Sequence, residues 1–118
     1  MKAASFLVLV AALLAGTGCN EEKQQECGKF VLAIKPLDQG NPSSAAVDSV
    51  AKQVAGMAFK DQTLTIYAKN YGERLKVLSN ALTLQESPNA PDGTNDLVKK
   101  TLGLARTDAD DVRRYCAP

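Results

Sequence analysis

The chain has 118 residues, with 14 basic and 13 acidic side chains and a formal net charge of +1. That balance builds no field large enough to recruit nucleic acid or an anionic membrane surface by charge alone. Histidine is absent, which removes the commonest metal ligand and the usual general base near neutral pH.

The first element in chain order is Lys2 followed by an uncharged apolar run over residues 3–15. As a helix this run spans about 20 Å, short of the roughly 30 Å hydrocarbon layer of a bilayer. An apolar run of that length behind a lysine reads as the core of an export signal rather than a permanent span.

Gly16-Thr17-Gly18-Cys19 follows. This stretch resembles the lipobox of bacterial lipoproteins, in which a cysteine follows small residues, is acylated on its thiol and becomes the mature N-terminus. Gly16 stands where such motifs usually carry leucine. The resemblance implies a signal peptide over residues 1–18, a lipid (palmitate among its acyl chains) on Cys19 and residence in the bacterial cell envelope. In enteric bacteria an aspartate after the lipidated cysteine retains the protein on the inner membrane. Asn20 stands there in this chain, which leans toward the outer membrane, facing the periplasm. The alternative is ordinary secretory cleavage near Gly18, with Cys19 left as a common cysteine.

Three cysteines are present, Cys19, Cys27 and Cys116. Export delivers them to an oxidising compartment, where an odd count needs an explanation. Lipid on Cys19 leaves Cys27 and Cys116 as one pair, which favours the lipidation reading.

Residues 19–118 then form a single domain with one modest core. Residues 19–26 carry the lipid and a polar tether, and residues 27–118 are expected to form an all-α, antiparallel bundle of about four helices. Cys27, Phe30, Val31, Ile34 and Leu37 make one helical stripe that Pro36 ends or kinks. Asn41 is the expected cap of a second helix, with Pro42 in its first turn and Val47, Val50, Ala51, Val54, Met57 and Ala58 on one face through Phe59. Asp61 is the expected cap of a third, whose Leu64, Ala68, Tyr71, Leu75, Leu78 and Leu82 fall four and three apart like a bundle seam. A loop over residues 85–95 leads to a last helix from Thr94 or Asn95, with the stripe Val98, Leu102, Ala105, Ala109, Val112 and Cys116. Whether Thr107 opens a separate helix is left open by the pattern. In an up-down-up-down bundle Cys27 and Cys116 lie at the same end, so a disulfide between them is expected.

Chemistry-bearing sets are thin. Asp108, Asp110 and Asp111 lack the spacing of a calcium loop and suit a helix entry instead. Lys99-Lys100 and Arg113-Arg114 read as solvated helix faces rather than a lipid headgroup site. Tyr67, Tyr71 and Tyr115 read as packing rather than a stacking wall. No catalytic set, metal site or cofactor is expected. The expected role is a non-enzymatic structural or protein-interaction module, held to the membrane by its lipid and docking an envelope protein. The alternative is a tethered binding protein for a small apolar ligand, although seams filled with Leu, Val and Ala leave no evident cavity.

Overall fold

The computed structural model describes residues 21–118. The signal-like residues 1–18 and the lipidation candidate Cys19 lie outside the described residues. Helix α1 covers residues 21–34 and runs into a 3-10 turn at Lys35–Leu37; α2 is Ser44–Ala55, α3 is Gln62–Glu86 and α4 is Thr94–Cys116. No strand occurs among the described residues. Cross-helix contacts fix the up-down-up-down order. At one end the α1 residues Glu26 and Cys27 meet Lys60 and Cys116. At the other, Ser44 meets Glu86 and Gln85 meets Asn95.

Each helix boundary has a local cause. The apolar stripe placed the start of α1 near Cys27, yet residues 21–26 are already helical. Glu, Lys and Gln are good helix formers, so this segment joins the helix without an apolar stripe of its own. Pro36 ends α1 in the 3-10 turn, and Leu37 stays buried beyond it.

Helix α2 starts later than expected. Its cap is Ser43, whose hydroxyl accepts from the Ala46 amide at 3.1 Å, and Pro42 lies outside the helix before that cap. Ser44 is held from across the bundle, donating its amide (2.9 Å) and hydroxyl (2.6 Å) to the Glu86 carboxylate. The helix stops at Ala55 with Gly56 as its end rather than continuing to Phe59. Met57 and Phe59 still pack on the core, while Ala58 is exposed.

Asp61 caps α3 as its position suggested, accepting from the Leu64 amide at 3.0 Å. The helix continues through Glu86, past the expected boundary at residue 85. It ends at Ser87 (φ −76°, ψ 142°), the extended conformation that a following proline imposes. Helix α4 is one unbroken helix. Thr107 donates its hydroxyl back to the Gly103 carbonyl at 3.0 Å instead of capping a new segment.

The expected stripes meet in one core. Leu64, Tyr71, Leu75, Leu78 and Leu82 of α3 are buried, as are all six expected residues of α4. Phe30 of α1 is fully buried toward the disulfide end, stacked on Phe59 at 5.5 Å and tilted against Tyr71 at 6.3 Å.

Candidate functional site

At the end of the bundle where α1 begins and α4 finishes, several polar and covalent contacts converge among the described residues. Cys27 and Cys116, each on the buried stripe of its helix, are joined by a disulfide with Cα atoms 5.6 Å apart. Around it, Glu26 accepts from the amides of Lys60 (2.6 Å) and Asp61 (3.1 Å), so α1 ties down the loop entering α3. Asp61 has two tasks: it caps α3 and accepts from the Tyr115 hydroxyl of α4 at 2.8 and 3.0 Å. The Leu64 amide holds the Asp61 carboxyl below its ordinary range despite an opposing desolvation effect, and Tyr115 adds to that lowering. The same bond pushes the Tyr115 phenol up. Lys23 lies over the Tyr115 ring, 4.2 Å from its centre.

A second latch joins the α1–α2 connection to α4. Arg106 donates to the carbonyls of Leu37 (3.1 Å) and Gly40 (2.6 Å), and Arg113 pairs with Asp38 and Asp110. Desolvation works against the Arg113 charge, but those carboxylates outweigh it and raise its pKa.

The residues singled out in the sequence are not gathered into one cleft. The three aspartates are divided among three arginines: Asp108 with Arg74, Asp110 with Arg113 and Asp111 with Arg114. Arg113 is therefore a latch rather than a free headgroup contact, while Lys99 and Lys100 are exposed on α4. Tyr71 is buried in the core, and burial pushes its phenol above the ordinary range. Tyr67 and Tyr115 tilt against each other at 5.7 Å beside the disulfide end, so the three tyrosines form no common wall.

Shallow grooves flank the helices, a feature that the filled seams gave no reason to expect, and two of them have apolar floors. One, about 440 Å³, runs between α2 and α3 over Ala51, Val54, Met57, Phe59, Ala68 and Gly72, with Lys69, Glu73 and Lys76 as its charged lining. The other, about 350 Å³, lies at the far end between Pro42, Leu82, Val98 and Leu102. The first owes its hollow to small residues, a signal that periodicity does not carry because alanine and glycine fit either face. Among the described residues no helix is long and apolar enough to cross a membrane.

Compared with known proteins, the chain matches no family model, no curated protein and no solved structure.

Proposed function

We propose that this chain is a lipid-anchored protein of the bacterial cell envelope, tethered through Cys19, whose helical bundle is a non-enzymatic interaction module. The observation that carries the reading is the pairing of Cys27 with Cys116, which leaves Cys19 as the one remaining cysteine of the sequence. An unpaired thiol in an oxidising compartment calls for a use, and acylation after a signal-like run supplies one. Two or more acyl chains make such anchoring stable, each buried CH2 contributing about 0.8 kcal/mol. By the identity of Asn20 the outer membrane, facing the periplasm, is the favoured site.

A docking role is favoured because the titratable groups near the anchor serve caps and latches, leaving broad helix faces as the surfaces on offer. The second reading, a tethered binder of a small apolar ligand, draws on the α2–α3 groove with its apolar floor.

Intact-mass analysis of protein extracted from membranes tests the anchor. A diacylglyceryl mass on Cys19, lost with release from the membrane in Cys19→Ser, is the expected result; an unmodified Cys19 in the membrane fraction overturns it. In-membrane crosslinking separates the two roles. A reproducible protein neighbour supports docking, whereas a stoichiometric small molecule retained in native mass spectrometry displaces it.

A further inference from the structure

Among the described residues six large hydrophobic side chains are exposed, one on α1 and five on α3 and α4. The register between α3 and α4 shows why the five belong together. Arg74 meets Asp108, and Gln85 meets Asn95, so each step forward on α3 matches a step back on α4. That register sets Val77 level with Leu104, Leu84 level with Leu97, and Ile66 level with the half-buried Tyr115. On each helix these positions are seven or eleven residues apart, two or three turns, and so share a face. Ile66, Val77, Leu84, Leu97 and Leu104 are 60, 51, 46, 43 and 38% exposed. Val77 also lines a surface groove of about 310 Å³ with Arg74 and Asp108, which places the stripe on the outer side of the α3–α4 seam.

The other helices leave this side open. The α1–α2 connection reaches α4 through Arg106 and Arg113, on the opposite flank of that helix. Helix α2 reaches α3 through Asp48 to Ser79 and Ser44 to Glu86, again on the opposite flank.

We infer that the α3–α4 face binds a second copy of this chain, related by a two-fold axis parallel to the helices. Such an axis lays α3 of one copy over α4 of the other at equal height. Because apolar residues on the two helices sit at matching levels, Val77 then faces the second copy's Leu104, and Leu84 faces its Leu97. The same operation sets Arg74 opposite the second copy's Asp108, so the charges that border the stripe are complementary. Helices of 25 and 23 residues in this register share a face about 33 Å long and roughly 20 Å wide. That is on the order of 700 Å², close to the roughly 800 Å² per partner of a stable interface. The axis direction rests on the anchor reading: two lipids in one membrane require both Cys19 ends on the same side. The face itself does not depend on it.

The test uses the full chain in its host membrane, with the photocrosslinker p-benzoylphenylalanine placed at Leu104, at Leu84 or at Leu32. Leu32 is 69% exposed on α1, away from the stripe, and serves as the control. Positions 104 and 84 should give an adduct of twice the chain's mass, and position 32 none above background. Native mass spectrometry of the detergent-extracted chain should show a dimer that Leu97→Glu and Leu104→Glu together convert to monomer with helicity unchanged. A monomer throughout, or adducts only to a different protein, overturns self-association while leaving the docking role standing. A dimer lacking the lipid mass keeps the face but removes the anchor and the axis argument.

Discussion

Breaking the Cys27–Cys116 link is the perturbation whose cost follows most directly from the geometry. The bridge joins residues 89 apart in sequence, closing nearly all of the described chain into one loop. On the chain-entropy model a loop of that size contributes about 4.6 kcal/mol by restricting the unfolded ensemble. Domains of this size carry about 5–15 kcal/mol in total, so the bridge is a third of that or more. With 1 kcal/mol shifting the midpoint by about 4–8 °C in a domain near this length, loss of the bridge should lower Tm by roughly 20 to 35 °C. The assay is thermal unfolding at 222 nm of the detergent-extracted chain, comparing oxidised protein, reduced protein and the Cys27→Ala/Cys116→Ala double variant. Reduced protein keeps the sulfur volume in the core, so its shift isolates the crosslink from the small cavity the alanines add. A reduced Tm within about 5 °C of the oxidised one, under about 1.5 kcal/mol, would refute the reasoning. So would two reactive thiols titrating in the unreduced, unfolded chain beyond any on Cys19.

Further expectations follow from single positions. Gly103 lies inside α4 with open space where a Cβ would go, so Gly103→Ala should stabilise by about 0.5–1 kcal/mol; Gly93 has φ +87°, so Gly93→Ala should destabilise by about 1–2 kcal/mol, both read by urea unfolding. Leu78 is fully buried in the α3 seam, and Leu78→Ala should cost about 2–5 kcal/mol in the same measurement. The carboxyls of Asp61 and Glu86 both lie below their ordinary values of 3.8 and 4.5, Glu86 through its bonds from Ser44. Their contribution is therefore complete above those values and is lost as pH falls through the lowered ones. Tm should be flat in this respect between neutral pH and about pH 5, then fall below about pH 4.5, and Glu86→Gln should blunt part of that fall.

The sequence carried the bundle's interior better than its edges, for a physical reason. Interior stripes repeat over many turns, so the α3 seam from Leu64 to Leu82 and the α4 stripe from Val98 to Cys116 both survive a local exception such as Gly72 or Gly103. Helix ends depend on one or two contacts. Asp61 was legible as a cap because it stands directly before an apolar-periodic run. Asn41 is the expected cap of α2 and Ser43 the observed one: both residue types cap well, and Pro42 is compatible with either placement. The extension of α3 to Glu86 has a tertiary support, the bond to Ser44 from forty-two residues away in sequence, which no local pattern contains. Residues 21–26 show no stripe because the segment is all polar, although its composition is that of a helix. The same limit explains the candidate surfaces. The α2–α3 groove and the level pairing of Val77 with Leu104 both depend on which helices are neighbours and in what register. Spacing within one helix does not contain that information.

The disulfide also sets how the molecule bears mechanical load. If Cys19 is the anchor proposed above, a force applied along α4 passes from Cys116 to Cys27 through the disulfide and reaches the lipid eight residues later in the chain. That route bypasses the helix-to-helix packing, so the bundle need not be unzipped for tension to reach the membrane. Load that enters the covalent chain at Cys116 can therefore leave it at Cys27 while α2 and α3 carry none of it.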